Sequence, residues 1–389
     1  MNNRVYLDWN ATTPLRREAR EAMVAALDVC GNPSSVHAEG RAVRMLVERA
    51  RHAIADAVGG QAQQVIFTSG GTEANVLALQ PGLRGPSGTP VERLLVSEIE
   101  HASVLEGGQF SAAQVDAIRV TASGLLDLNH LRTLIIGQPP ALVSVMLANN
   151  ESGALQPVRD VAAMVHEAGC LLHVDAVQAF GKIKFDINEL EADLLSISAH
   201  KVGGPKGVGA LILSDRVANF HAPIRGGGQE KGRRAGTENA PGIAGFGAAV
   251  TASTATQEAD TARMKSLRDR LEAGLRAATP NIMIFSADVP RLPNTTLFTV
   301  PGLSAETAVI GFDLEGVAVS SGSACSSGKV QPSHVLTAMG LGPDLARGGI
   351  RVSLGWSTTD LDVDRFIQAW RKLSGALLKK DDETVLERF

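Results

Sequence analysis

The chain has 389 residues, too many for one ordinary core, so two domains are expected. Hydrophobic residues make up 44% and charged residues 20%, with a net charge of −4, a globular balance that speaks against a nucleic-acid-binding face. No apolar run approaches the ~18 residues of a membrane span, and the opening MNNRVYLDWN lacks the apolar stretch of a secretory signal, so a cytoplasmic protein off the membrane is expected.

In chain order, PLRREAREAMVAALDV has helical spacing, with Pro14 expected near the first turn. GNPSSVH, Gly31 to His37, reads as a loop, and an amphipathic segment follows over Gly40 to Val58. QVIFTSGGTEANVLAL reads as a strand, Val65 to Thr68, then a glycine turn and a helix start. Short apolar runs recur at Leu94 to Glu98, Leu142 to Asn149, Leu171 to Val177, Leu194 to His200 and Gly209 to Ser214. Runs apolar at nearly every position are buried on both faces, which predicts an α/β fold with a mostly parallel sheet between helices. Ligands of such sheets gather beyond the strands' carboxyl ends.

After about Thr251 a polar helix leads to NIMIFS, NTTLFTV, VAVSSGS and GGIRVSLGW, the pattern of a smaller α+β domain. The expected division is a large domain over 15–250 and a small one built from 1–14 and 251–389.

Several run ends carry chemistry. In TSGGTE, Gly71 and Thr72 open a helix whose free N–H groups suit an anion, although taken alone the turn reads equally as an ordinary connection. Asp175 ends an apolar strand, where a carboxylate caps a helix, pairs with arginine or holds a protonated ring nitrogen, and Gln178 lies three residues on. Lys201 follows a buried strand, where desolvation frees an amine as a nucleophile. Ser198 and His200 flank it as phosphate donors, and Lys206 is the competing amine in the glycine turn. His101 also follows an apolar run. A phosphate turn, a strand-end aspartate and a strand-end lysine together are the parts that pyridoxal phosphate needs.

The cysteines, Cys30, Cys170 and Cys325, are far apart and odd in number, which excludes a disulfide framework or a closed cysteine zinc site and predicts no resident metal. Cys325 sits in SSGSACSSG, a run of small residues suited to a reactive, moving thiol rather than to a core.

The chain resembles the class I cysteine desulfurases of the NifS/IscS type, fold-type I pyridoxal-phosphate enzymes, nearly end to end. The motifs include YLDWNATTP, GNPSSVHAEG, FTSGGTEAN, EIEHASV, NNESGALQPV, HVDAVQAFGKI, SAHKVGGPKGVG, GGGQEKGRRAGTEN, SSGSAC and SHVL. The resemblance implies a seven-stranded large-domain sheet with Lys201 bonded to the cofactor, Asp175 on its ring nitrogen and Gln178 on its ring hydroxyl. It implies His101 stacked on the ring and moving a proton, and Gly71, Thr72, Ser198 and His200 on the phosphate. Asn150 is implied near the ring and the substrate carboxylate, Arg351 as the clamp on that carboxylate, and Cys325 as the nucleophile that takes sulfur from L-cysteine as a persulfide. It further implies a homodimer in which Thr237 reaches the partner's phosphate, and transfer of the sulfur to an acceptor protein such as an iron–sulfur scaffold, with Cys325 as a transient cluster ligand there. Selenocysteine lyase and aminotransferase activities remain the alternatives, and the sequence does not choose the acceptor.

Overall fold

The structure, a computed structural model, describes residues 4–322 and 331–377. Its strands in chain order are β1 (Val5–Tyr6), β2 (Val65–Thr68), β3 (Arg93–Ser97), β4 (Val115–Ile118), β5 (Ala141–Met146), β6 (Leu171–Asp175), β7 (Leu194–Ser198), β8 (Gly209–Leu213), β9 (Met283–Ile284), β10 (Thr295–Thr299), β11 (Val317–Ala318), β12 (Ser320–Ser321) and β13 (Ile350–Ser353).

A seven-stranded sheet runs β2-β8-β7-β6-β5-β3-β4. The pairings from β7 through β4 are parallel, and β8 alone runs against both its neighbours. Adjacent residues of one strand feed opposite cores. Val143, Leu172, Leu195 and Ile212 join the core on one face, and Leu142, Leu171, Leu194 and Leu211 join that on the other. Side chains alternate between faces with a period of two, so a strand covered on both sides is apolar at every position.

Three apolar runs end as strands two or three residues earlier than expected, because the polar residues closing them turn the chain. Asp175 Oδ1 accepts from Val177 N at 2.9 Å. Asn149 Oδ1 accepts from the amides of Glu151 and Ser152 at 2.9 and 2.8 Å. Residues Ala199–Lys201 form a tight 3-10 turn. The parallel pairing therefore brings these turns to one edge of the sheet.

A second core is built on β10 and β13, with Phe298, Phe312, Phe366 and Trp370 at its centre. The rings of Phe312 and Phe366 stack at 5.1 Å. Val5 and Leu7 belong to this core, and β1 pairs with β11. The helix Ala240–Ala278 runs through both cores: Phe246 and Val250 enter the first, and Leu267, Leu271 and Leu275 the second. Position 250/251 thus falls inside a continuous helix.

Pro14 is not in the first turn of the helix it was expected to open. That helix is Arg17–Leu27. Thr13 N and Arg16 N instead donate to the carbonyls of His200 and Gly203, at 3.0 and 2.9 Å, which holds the arm extended against the turn after β7. Among the described residues no helix is long and apolar enough to cross a membrane.

Candidate active site

A cavity of about 500 Å³ opens at the edge where β5, β6 and β7 end. Gly71, Thr72, Ser198, His200 and Lys201 line it together with His101, Asn150, Asp175, Gln178 and Arg351. The strand ends thus converge although their residues are spread over 281 positions (71 to 351).

Gly71 starts the helix Gly71–Ala78. A Cβ there would lie 3.0 Å from Val177 Cγ2, close enough that this side chain would have to give way, and in ordinary contact at 3.4 Å with Ser198 Cβ, so the helix N-terminus lies close to Ser198. Free N–H groups at such an end, beside a hydroxyl, suit a phosphate.

Asp175 is buried, and neutral donors hold it. Asn75 Nδ2 gives to Oδ2 at 2.9 Å, and Val177 N gives to Oδ1. The carboxylate is thereby aimed without being neutralised, ready for a cation from a ligand. Lys201 Nζ donates to the carbonyls of Asn10 and Ala11, the latter at 2.9 Å. Lys206, the rival amine, is exposed.

His101 caps the short helix Ala102–Leu105. Its Nδ1 accepts from Ser103 N at 3.1 Å and meets Ser103 Oγ at 2.8 Å. Nδ1 is therefore occupied, which leaves Nε2 to exchange a proton with a ligand. Burial lowers the His101 pKa, and Lys201 adds to this against the opposing pull of Asp175, so the neutral ring is favoured. His200 is pushed down to about 4 by burial and then by Lys201, Lys206 and Lys182, and its Nδ1 meets Thr12 Oγ1 at 3.2 Å.

Arg351 pairs with Asp8, Nη2 to Oδ1 at 2.8 Å, while Nη1 donates to Asn150 O at 3.2 Å. Its Nε and Asn150 Oδ1 are buried without a hydrogen-bond partner among the described residues. Unpaired buried polar atoms are costly, and a bound ligand is one way to satisfy them.

Thr237 is exposed and does not line this cavity. Its segment is nonetheless anchored. Glu230 is buried in a two-point pair with Arg51 at 2.8 and 2.9 Å and accepts from Phe67 N at 3.1 Å. Arg234 pairs with Glu73 at 2.8 Å, beside the phosphate-type turn. Cys325 lies outside the described residues. Of the other thiols, Cys30 is exposed, while Cys170 is buried, accepts from Ala141 N and has its pKa raised by that burial, which makes it inert.

Several polar residues of the site carried no signal of their own in the sequence. Asn10 N donates to Ser353 Oγ at 2.9 Å, and its side chain reaches Asn150 O and Thr295 Oγ1 at 3.2 and 2.9 Å. Glu151 lines the cavity, and burial, opposed by the Ser333 hydroxyl at 2.6 Å and by Arg351, raises it to about 7. Glu100, fully buried next to His101, is held well above the carboxylate range by burial and by Asp175.

The aminotransferase class-V family model matches residues 5–366. A cysteine desulfurase of Cereibacter sphaeroides is 43% identical over 372 residues, which is 94% of each chain. The solved NifS-like protein from Rickettsia africae ESF-5 is 37% identical with a TM-score of 0.86, covering 96% of this chain and 100% of that one. A solved SspA in complex with cysteine is 31% identical with a TM-score of 0.75, covering 91% and 100%. With a strand-end lysine and aspartate on one cavity, and similarity running nearly from end to end, this chain belongs to the aminotransferase class-V family and, within it, to the class I cysteine desulfurases.

Proposed function

We propose that the cavity binds pyridoxal 5′-phosphate and that the enzyme takes sulfur from L-cysteine, leaving L-alanine and a persulfide on Cys325. The observation that carries this reading is the convergence of Lys201 and Asp175 on one cavity rimmed by the Gly71 helix start. The donor set fits the group: an amine for its aldehyde, a carboxylate for its ring nitrogen, and N–H and hydroxyl groups for its phosphate. When bound, the cofactor supplies an electron sink that weakens the carbon–sulfur bond of the substrate.

The chain's own residues do the rest. Lys201 holds the cofactor through its amine. Asp175 keeps the ring nitrogen protonated, Gln178 donates to the ring oxygen, and His101 stacks and exchanges a proton at Nε2. Gly71, Thr72, Ser198 and His200 bind the phosphate. Asn150 and Arg351 orient the substrate carboxylate, for which a guanidinium fork is suited. The Cys325 thiolate attacks the substrate sulfur. The sulfur–sulfur bond forms as the carbon–sulfur bond breaks, and the carbon takes a proton to leave as alanine. The persulfide then passes to a sulfur-acceptor protein, an iron–sulfur scaffold or another carrier, where Cys325 serves as a transient cluster ligand. We place the enzyme in a reducing cytoplasm, which keeps such a thiol free. The two cores support a division into a cofactor-binding part over 15–250 and a smaller part from 1–14 and 251–389.

With L-cysteine as sole substrate, alanine and transferable sulfur should appear in equal amounts. A requirement for a 2-oxo acid, with no sulfur released, would mark an aminotransferase instead. In the same assay Arg351→Ala should lose about 2–5 kcal/mol of substrate binding, read as a raised KM. Arg351→Lys should not restore it, because a point charge lacks the fork. A KM unchanged in Arg351→Ala would leave Arg351 as the partner of Asp8 and nothing more.

We further propose a homodimer in which Thr237 binds the phosphate held by the partner. The exposed Thr237 on a segment pinned by Arg51 and Arg234 supports this, since an anchored loop presents a fixed group outward. Two-fold symmetry makes each chain give and receive the same loop. Lys201→Ala and Thr237→Ala chains forced to pair would hold one site with both defects and one with neither. About half of the wild-type activity per dimer should return. No gain over the parent variants, or an active monomer, would end the shared-site model.

A further inference from the structure

We propose that Lys182 is a positioning residue for the cofactor ring: by donating to the side-chain oxygens of Gln178 and Asn10, it fixes the Gln178 amide so that an N–H, and not a carbonyl, faces the cavity. The inference rests on the proposed cofactor reading and deepens it.

Lys182 is 5% exposed and lies behind the cavity wall, four residues after Gln178 in the turns that follow β6. Its Nζ donates to Gln178 Oε1 at 2.6 Å and to Asn10 Oδ1 at 2.9 Å. No carboxylate is among these partners. Both acceptors are amides, whose oxygen and nitrogen can exchange places by a flip unless a neighbour decides between them. An amine whose hydrogens already go to these two oxygens selects the oxygen: an amide N–H turned toward it would face another donor in the ammonium, and in the neutral amine would give up that donation to compete for a single lone pair.

Gln178 Nε2 then points the other way. One of its hydrogens goes to Asn10 O at 2.9 Å, and the second is free for the cavity that Gln178 lines. Asn10 is fixed by the same amine. Its Oδ1 takes Lys182 and Asn294 Nδ2, so its Nδ2 must be the group reaching Asn150 O and Thr295 Oγ1. The main-chain carbonyl of Asn10 also receives Lys201 Nζ. One buried amine therefore orients a ring donor directly and steadies the residue that holds the cofactor lysine.

The charged groups facing Lys182 are Lys201 and Arg351, with His200 nearby and Arg16 and Asp260 across a small second cavity. Burial, ahead of Lys201 and Arg351, drives the Lys182 amine well below the lysine range. A role through long-range charge is thus the weaker alternative, and the following test separates the two.

The holoenzyme is titrated by its visible band, and the dissociation constant for pyridoxal phosphate is measured for each variant. Gln178→Ala should weaken cofactor binding about tenfold, equivalent to ~1.4 kcal/mol. It should also raise the pH midpoint of the band, because the ring oxygen, relieved of its outside donor, holds the shared proton more tightly. Lys182→Met, of similar length, should reproduce both changes, and the double variant should go no further than Gln178→Ala alone. Additive shifts, or a Lys182→Met band identical to wild type, would overturn the inference while leaving the cofactor reading intact. A Gln178→Ala protein with wild-type midpoint and affinity would instead refute the ring role of Gln178, and the inference with it. Should Lys182→Met fail to fold, Gln178→Glu keeps an oxygen for Lys182 but offers no N–H. It should shift the midpoint upward as Gln178→Ala does, and a wild-type midpoint would overturn the proposal.

Discussion

Lys201→Ala is expected to abolish the visible band of the holoenzyme and to cut sulfur release by about three orders of magnitude or more, the scale on which a positioned proton-transfer group acts even before its covalent role is counted. Lys201 is held at the cavity by two main-chain carbonyls, whereas Lys206 lies outside it and exposed. Lys206 cannot take its place without rebuilding the turn after β7. Free cofactor should still bind through the Gly71 helix start, Ser198 and His200, so the variant should stay folded and show, at most, the absorption of the unbonded aldehyde in place of the lysine-bonded band. Borohydride reduction followed by peptide mapping checks this. A reducible lysine adduct with full turnover in Lys201→Ala would move the assignment to Lys206.

Cys325→Ser is expected to separate the two halves of the reaction. Added L-cysteine should still change the visible band, because Lys201, Asp175 and Arg351 are intact, yet persulfide and released sulfide should fall to background. A hydroxyl is far less nucleophilic toward sulfur than a thiolate. Cys30→Ala should behave as wild type. Cys170→Ala should keep its activity while losing about 1 kcal/mol of stability, since that thiol packs in the first core. An inactive Cys170→Ala beside an active Cys325→Ser would reverse the assignment.

The sheet was legible in the sequence wherever both faces are buried. Leu142/Val143, Leu171/Leu172 and Leu194/Leu195 leave no polar position to confuse the reading. The strand that was not anticipated, β4, lies at the edge, where Asp116 and Ala117 are exposed and only Ile118 is fully buried. Half-solvated edges lose the apolar signal. Among the candidate site residues, Gly71, Asp175 and Lys201 stood out because each closes an apolar run. Asn10, Lys182 and Glu230 did not, because what defines them is a partner far along the chain: Ser353 for Asn10, and Arg51 for Glu230. Position in a run is local information, whereas the satisfaction of a buried polar group is known only once distant segments meet.

That distance has a consequence for how the protein is made. The arm carrying Asn10 is synthesised ahead of the whole sheet, but its contacts wait for Asn150, Gln178, Lys201, Thr295 and finally Ser353. Domains generally fold as units, N-terminal first, as the chain emerges, and contacts of large sequence separation form late. The seven-stranded sheet can therefore assemble on the ribosome once residue 213 is clear, with its N-terminal arm only partly seated. The site closes only when β13 has appeared. Completion of the pocket is thereby deferred until residue 353 has emerged, and a product stalled before it would carry a folded sheet with an unfinished pocket.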